Sequence, residues 1–317
     1  MTMKDISLLI SPLAKSAYFA DYLTVAQAEC DAIFTDTAFT HQRIGTFDFL
    51  EATLNDDDIQ KAMRLSFAQG IFERCDGGFQ PLASDAGFRL HEDFVVGAKY
   101  KGKTNEMLTQ LLLNIGLAHM PDSAPETLKL LDPMCGRATT LLWGMRYGMR
   151  SKGIEQDPKA LQDLQQSLKK WTKLHRQKHQ LQTGFVGKAN KQGKGKFLDF
   201  QAEDAGMRVI HGDAREAAEL LKDEKFNLII SDLPYGVQHF TTANTRNPLA
   251  VLEECADGWA NCLKPDGAIV LAFNSYQPKR AKLIECFAAR GLHAEPFAAP
   301  HRMSEAIIRD IVVFRRS

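Results

Sequence analysis

The sequence predicts an α/β protein in which a doubly wound, Rossmann-like sheet follows a smaller N-terminal α+β domain. From about residue 128 onward, apolar strand patterns alternate with helical patterns, which is typical of parallel βαβ units. Four of these strands end in polar motifs, and doubly wound sheets bind ligands at such strand ends. The 317 residues also exceed the roughly 250–300 at which single cores stop growing, so we predict two domains, 1–95 and 96–317.

Residues 1–95 alternate between short strand and helix patterns. Strands are expected at 6–10, 47–54 and 70–78, and helices at 16–34 and 56–67. Asn55 precedes the second helix as its N-cap, and three aspartates occupy the first turn, where the helix dipole favours acids.

Residues 96–317 are expected to begin with a helix that starts at about Thr104. Strands are then expected at 128–134, 151–157, 207–213, 226–234, 268–274 and 307–316. The helices between them are expected at 139–148, 158–174, 214–223, 248–263 and 279–291. The last strand would be inserted at the far end of the sheet.

Charge is distributed unevenly along the chain, although the net charge is zero. Residues 1–98 contain 15 acids and 7 Lys/Arg, whereas the remainder contains 24 acids and 32 Lys/Arg. Residues 164–198 contain nine Lys/Arg and no acid, within a basic insertion expected at about 169–205. This segment is either a solvated insertion or an arm that grips RNA phosphates.

Membrane and secreted classes of protein are disfavoured. No apolar run approaches the roughly 20 residues that cross a bilayer, and the N-terminus lacks the basic lead of a signal peptide. The six cysteines include no C-x-x-C pair, which argues against a zinc knuckle and fits reduced thiols. We therefore expect a cytoplasmic protein with no membrane partner.

The first two motifs suit a nucleoside ligand. In LLDPMCGRATTL, a strand ends at Asp132, and Gly136 lets the backbone approach a ligand before a helix whose N–H groups suit a carboxylate. In GIEQD, Glu155 lies 23 residues after Asp132. A spacing of about 20 is that at which an acid in a βαβ unit meets ribose hydroxyls. An exposed strand-end acid is the alternative for Glu155.

The third motif, VIHGDAREA, places Asp213 after another predicted strand. Its carboxylate can accept a hydrogen bond from an adenine amino group, while the next backbone N–H, that of Ala214, serves a ring nitrogen. Asp213 is also a good N-cap for the helix that follows, and the two roles are compatible.

The fourth motif, FNLIISDLPYG, ends an apolar strand in Asp232, Leu233, Pro234 and Tyr235. An exocyclic amine of a base is a poor nucleophile because its lone pair is delocalised into the ring. The Asp232 carboxylate and the Leu233 carbonyl can accept the two amine hydrogens and turn the lone pair toward a methyl group. Pro234 stiffens the turn, and Tyr235 offers a face on which a base can stack. A surface turn with a buried tyrosine is the alternative.

Taken together, the motifs resemble those of amino-methylating methyltransferases, whose fourth motif reads Asp/Asn/Ser-Pro-Pro-Tyr/Phe. Leu233, the DPMCG run at 132–136 and the K-Y-x-G-x-T segment at 99–104 are most similar to the tRNA guanine-N2 methyltransferases of the UPF0020 type. The resemblance covers about 97–317. It implies a Rossmann-like class I methyltransferase fold and methyl transfer from S-adenosylmethionine to an exocyclic nitrogen, foremost guanine N2 in tRNA.

The resemblance also implies site residues, an RNA partner and a monomer or weak dimer. The catalytic motif would be Asp232, Leu233, Pro234 and Tyr235, and the chemistry needs no metal. The cofactor would be bound by Thr104, Asp132, Met134, Cys135, Gly136, Glu155, Gln156, Asp213, Ala214 and Asp232.

The chain departs from the family pattern in two places. Arg137 and Ala138 stand where small residues usually follow the first glycine. The family's RNA enzymes usually carry a THUMP domain after a ferredoxin-like one. The stretch from Phe47 to Glu73 resembles the ferredoxin-like part, and residues 1–90 are long enough for only that one small domain.

Other functions remain open at this point. The fourth motif also suits adenine N6 in DNA or RNA and the glutamine amide of a protein. A literal P-loop pattern, G-x-x-x-x-G-K-T, spans 97–104 after a predicted strand and would place Lys103 on nucleotide phosphates. Its bulky Ala-Lys-Tyr-Lys interior and the roles it leaves unexplained argue against an ATPase.

Overall fold

A computed structural model describes residues 2–82, 85–97, 103, 105–187, 194–234, 248–304 and 307–316. The N-terminal strands are β1 (Lys4–Ile10), β2 (Thr40–Ile44), β3 (Phe47–Leu54), β4 (Ala68–Cys75) and β5 (Gly78–Pro81). The N-terminal helices are α1 (Pro12–Tyr18), α2 (Tyr22–Ile33) and α3 (Asp56–Ala62). These strands form an antiparallel sheet in the order β2-β3-β1-β4-β5. Up to β4, with α1 and α2 counted as one interrupted helix, the elements follow each other as β-α-β-β-α-β, the connection order of a ferredoxin-like unit.

Two features of this unit differ from the sequence prediction. The helix predicted at 16–34 is interrupted, because Phe19 adopts a φ of +52°, which ends α1 before α2 begins. Strand β2 has only exposed residues, so it lacks the apolar alternation by which strands are recognised. Asn55 is confirmed as the N-cap of α3, where its side-chain oxygen accepts the Asp58 N–H at 2.9 Å.

The larger, mixed sheet contains the remaining strands. These are β6 (Lys129–Asp132), β7 (Arg150–Glu155), β8 (Gln180–Phe185), β9 (Lys196–Ala202), β10 (Ala205–His211), β11 (Phe226–Asp232), β12 (Leu263–Asn274), β13 (Leu292–Ala294), β14 (His301–Ser304) and β15 (Ile307–Arg316). The helices are α4 (Asp93–Val96), α5 (Glu106–Ala118), α6 (Thr139–Arg146), α7 (Pro158–Leu174), α8 (Ala217–Leu221), α9 (Pro248–Cys262) and α10 (Arg280–Ala288). No described helix has the length and apolar character needed to cross a bilayer.

This sheet has the doubly wound, Rossmann-like topology that the sequence predicts. Its order is β13-β15-β12-β11-β6-β7-β10-β9-β8, with β14 paired to β15. Strands β12, β11, β6, β7 and β10 are parallel, and antiparallel β15 is inserted between β12 and β13. The basic insertion adds an unexpected feature, the antiparallel hairpin of β8 and β9, which extends the sheet beyond β10.

The N-terminal unit packs directly on the larger one, and a single hydrophobic cluster runs through both. Within this contact, Glu29 of α2 is fully buried. Its carboxylate accepts hydrogen bonds from the Ser66 hydroxyl at 2.6 Å and from the Asn114 amide of α5 at 2.6 Å. Burial raises the pKa of Glu29 to about 6, despite these donors. We therefore propose the boundary at residue 95 only as a division along the sequence, because the two units share one core.

Candidate active site

Four polar motifs meet at one edge of the large sheet. Strands β11, β6, β7 and β10 are adjacent and parallel, so their carboxyl ends lie side by side. Asp232, Asp132 and Glu155 are the last residues of the first three strands, and Asp213 follows β10 after one glycine. This edge is where ligands bind in doubly wound sheets.

Asp132 anchors the first motif to the fourth. Its carboxylate is 2% exposed and accepts hydrogen bonds from the Met134 N–H at 3.0 Å and the Ser231 hydroxyl at 2.9 Å. Burial raises the pKa of Asp132 to about 7, although these bonds and one from Thr140 oppose the change. Sequence reasoning missed Ser231, which stands in the strand immediately before Asp232.

The loop after Asp132 turns through Gly136, whose φ is +52°. A Cβ built on Gly136 would meet no atom of the described residues within 4 Å, so the part of the chain that the structure describes leaves this face of the loop uncovered. Cys135 instead has a buried side chain, and a Cβ on Gly153 would lie only 2.6 Å from its sulfur. Of the two predicted cofactor contacts, Gly136 is thus left uncovered by the described residues, and Cys135 can contribute only its backbone.

Glu155 links the first motif to the second and third. One carboxylate oxygen accepts the Gly136 N–H at 2.8 Å, and the other accepts the Asp157 N–H at 2.7 Å. Its backbone carbonyl accepts the Gly212 N–H at 3.0 Å. Burial raises the pKa of Glu155. Because each carboxylate oxygen has two lone pairs, both can still accept a hydroxyl.

Asp213 is engaged by Arg215, which the sequence analysis did not foresee. The guanidinium donates to both carboxylate oxygens, at 3.0 and 2.6 Å, and the backbone N–H of Arg215 donates to the same side chain. These bonds hold the pKa of Asp213 below its usual value. The N-cap role is thus confirmed, and an adenine amino group would share this carboxylate with the guanidinium. The backbone of Ala214 also lies here, where its carbonyl accepts the Trp259 indole N–H at 3.2 Å.

Asp232 has a buried cationic partner. Arg309 of β15 lies two strands away in the sheet, and its Nη2 is 3.3 Å from Asp232 Oδ2. Only 4% and 8% of these two side chains are exposed. The backbone beyond Asp232 makes one more hydrogen bond to the neighbouring strand β12, from the Leu233 N–H to the Ala272 carbonyl at 2.9 Å. The signal for Arg309 was its position, with Asp310, between the apolar residues of β15.

Three predicted site residues, and Arg137 beside them in the sequence argument, remain to be placed. Gln156 is exposed, and its carbonyl accepts from His211 at 3.1 Å. Thr104 and Tyr235 lie outside the described residues. Arg137 forms an ion pair with Asp163 of α7, with its Nη2 at 2.6 Å from the carboxylate.

The P-loop interpretation loses its structural context. A P-loop follows a strand, but the residues before Gly97 form the short helix α4. The Lys103 ammonium donates to the Val95 carbonyl at 2.6 Å and forms an ion pair with Glu106. A lysine that neutralises a neighbouring carboxylate is poorly placed to bind a phosphate.

The hydrogen-bonding groups at the strand ends fit S-adenosylmethionine. The described residues leave room in front of Gly136 for a ligand, and Glu155 keeps lone pairs for ribose hydroxyls. Asp213 lies at the neighbouring strand end, where the adenine of the cofactor would reach it, and Arg215 donates to its carboxylate. No part of this arrangement resembles a pyrophosphate-binding G-x-G-x-x-G loop.

Comparisons with solved structures return methyltransferases at low identity. TrmN from Thermus thermophilus is 14% identical with a TM-score of 0.47, over 89% of this chain and 60% of that one. The T. thermophilus 16S rRNA N2 G1207 methyltransferase RsmC, in complex with AdoMet and guanosine, is 18% identical with a TM-score of 0.40, over 94% and 62%. A putative RNA methyltransferase from Pyrococcus horikoshii is 15% identical with a TM-score of 0.43, over 73% and 92%.

The chain thus spans about three fifths of the length of TrmN and of RsmC. Comparison with curated protein sequences found no significant match. The model of the family described as "UPF0020: RMKL-like, methyltransferase domain" matches residues 112–295, which is more than half of the 317 residues and includes all four strand-end motifs. The chain therefore belongs to the UPF0020 family of RMKL-like methyltransferase domains.

Proposed function

We propose that this protein transfers a methyl group from S-adenosylmethionine to an exocyclic amino nitrogen of an RNA base, with guanine N2 in tRNA as the first candidate. The observation that carries the proposal is the placement of Asp232. Its carboxylate ends β11 beside a buried arginine, and the preceding residue, Ser231, donates to the carboxylate of Asp132 on the proposed cofactor side. Adenine N6 and a protein glutamine amide remain the alternative acceptors, and analysis of the methylated product distinguishes them.

S-adenosylmethionine supplies an electrophilic methyl group when bound. Glu155 would hold the ribose hydroxyls, and the loop at Gly136 would face the methionine part. Asp213 and the Ala214 N–H would meet the adenine. Met134, Cys135 and Gln156 would complete the cofactor site through their backbone or surface groups, and we assign Thr104 to the methionine end.

The reaction depends on holding the acceptor amine. Asp232 and the Leu233 carbonyl would accept its two hydrogens, with Pro234 fixing the turn and Tyr235 stacking on the base. Arg309 binds Asp232 at Oδ2, so the amine would share this carboxylate with the guanidinium. Positive charge would develop on the nitrogen as it gains the methyl group, and the Asp232 carboxylate would stabilise that charge and take up the proton that the nitrogen then loses.

Cofactor identity can be tested by calorimetric titration of the whole chain with S-adenosylmethionine and, separately, with ATP and Mg²⁺. We expect binding of S-adenosylmethionine alone, with a Kd on the order of micromolar. The Glu155→Gln variant should weaken it roughly tenfold, because a ribose hydroxyl loses one charged acceptor. Glu203→Gln, an exposed acid in the turn between β9 and β10, is the matched control and should bind normally. Binding of ATP in place of S-adenosylmethionine would contradict the assignment.

The described parts of the basic segment, 164–198, lie at two opposite edges of the sheet, the active-site edge and the one away from it. Helix α7 leaves the active-site edge at Asp157 and spans 17 residues, or about 25 Å. Lys169, Lys170 and Lys173 therefore lie far from the site. Gly195, just before β9, lies at the active-site edge, because its N–H donates to the carbonyl of His211 at the end of β10. Strands β8 and β9 therefore bring the chain back to that edge.

We therefore propose that the cations of residues 188–196, which lie between β8 and the start of β9 in the sequence, contact RNA phosphates. Replacing Lys188, Lys191 and Lys196 by glutamine should weaken tRNA binding and flatten its salt dependence by up to about three counterions. The matched control changes the three lysines at 169, 170 and 173 instead. Equal losses in the two triple variants, measured by fluorescence anisotropy between 50 and 200 mM salt, would contradict this assignment.

A further inference from the structure

Three side chains with metal-ligating atoms converge far from the candidate active site. His175 Nε2 lies 2.9 Å from Asp93 Oδ2, and His91 Nδ1 lies 3.5 Å from the same oxygen. All three ligand atoms lie within 4.8 Å of one another. His175 follows the last residue of α7, so the length of that helix, about 25 Å, separates the cluster from the strand-end edge.

We propose that His91, Asp93 and His175 bind a divalent transition-metal ion, with Zn²⁺ as the best match. In a tetrahedral zinc site with bonds of about 2.0–2.1 Å, ligand atoms are ~3.3 Å apart, and the two measured separations bracket that value. Two imidazoles and one carboxylate suit zinc, and a water molecule would complete the four ligands.

The two imidazoles are already arranged for this role. Their rings stack with centroids 3.7 Å apart and planes 19° apart, which brings a nitrogen of each toward Asp93. His91 Nδ1 accepts the backbone N–H of Asp93 at 3.2 Å, so its lone pair points toward Asp93, and a metal ion would take that lone pair in place of the hydrogen bond.

The surroundings allow an ion to enter and then hold it. The side chains of His91, Asp93 and His175 are 48%, 34% and 20% exposed. On the inner side, the His175 ring packs near those of Trp171 and Phe94, with centroids 6.2 and 6.3 Å away. An apolar wall of this kind strengthens the attraction between a cation and the carboxylate.

A metal here would act as a structural clamp. His91 and Asp93 flank the start of α4, and His175 is the residue from which the basic insertion leaves α7. One ion would therefore fix the root of the β8–β9 hairpin to the segment that leads toward α5. The length of α7 separates this ion from Glu155, so we assign it no part in methyl transfer.

Calorimetric titration of Zn²⁺ alone into the EDTA-treated full chain tests the proposal. We expect one equivalent to bind with a submicromolar Kd and to raise the thermal midpoint by roughly 5 °C. Co²⁺ should give the intense visible absorption of a tetrahedral site. The His175→Ala variant should lose affinity on the order of 100-fold. His179→Ala is the matched control, because this exposed histidine bonds only the Gln177 carbonyl among the described contacts of its ring nitrogens, at 2.9 Å.

Three outcomes would overturn the proposal: no zinc binding, equal affinity in the two histidine variants, or an octahedral cobalt spectrum. Should His175→Ala fail to fold, His91→Ala offers the same comparison at a more exposed position. Retained binding in that variant would equally contradict the site. Circular dichroism of each variant without metal confirms that the fold is intact before titration.

Discussion

The Asp232→Ala variant should lose roughly a thousandfold in the rate of methyl transfer, while its affinity for S-adenosylmethionine stays close to that of the parent protein. Asp232 is the one charged acceptor that the fourth motif offers to the amine, and the Leu233 carbonyl alone cannot orient both hydrogens. Single-turnover transfer to tRNA measures the first quantity, and calorimetry measures the second. Turnover at the parental rate would refute the proposed mechanism.

The same variant should also be less stable, which requires a control. Removing Asp232 leaves the guanidinium of Arg309 buried without this carboxylate, and breaking a buried pair costs about 3 kcal/mol or more. The double variant Asp232→Ala/Arg309→Met removes both charges and should recover most of that stability in urea unfolding. It should not recover transfer. Recovery of activity in the double variant would show that Asp232 acts through the fold alone.

Protein stability should fall as the pH rises from 5 to 8. The pKa of Asp132 is about 7 in the folded protein, above its usual value of 3.8. The folded state therefore holds a proton between these values that the unfolded state has released. The stabilisation is complete below pH 3.8 and is lost as pH rises through 7, which amounts to about 3 kcal/mol between pH 5 and pH 8.

The Asp132→Asn variant isolates this effect. Its amide oxygen can still accept from Met134 and Ser231, but it carries no charge to bury. Glu29, with a pKa of about 6, changes stability in the same direction, so the quantity to compare is the difference between parent and variant in urea unfolding at each pH. A difference that stays constant from pH 5 to pH 8 would show that Asp132 does not titrate in the folded protein over this range, which contradicts the prediction.

Features set by local sequence were predictable here. The strand-end motifs were located correctly because an apolar run that leads to an acid, with a helical pattern after it, specifies a strand and its end within a few residues. Asn55 was recognised for the same reason, since an N-cap bonds a backbone group only three positions away.

Features set by long-range pairing were not predictable. Arg309 reaches Asp232 across 77 positions of sequence, and no local pattern marks the two as partners. The β8–β9 hairpin was not predicted, because its lysines and glycines are typical of a solvent-exposed loop. The segment forms strands because β9 pairs with β10. Arg215 was overlooked because the helix start explained Asp213 without it.

The insertion of β15 between β12 and β13 has a consequence for how the enzyme is made. The ribosome synthesises Arg309 after every other residue assigned to the site, and β13 cannot join the sheet until β15 fills the gap beside β12. A nascent chain can therefore display the glycine loop and the aspartate of β11, yet it lacks the cation that accompanies that aspartate. Methylation should begin only after translation has passed residue 309.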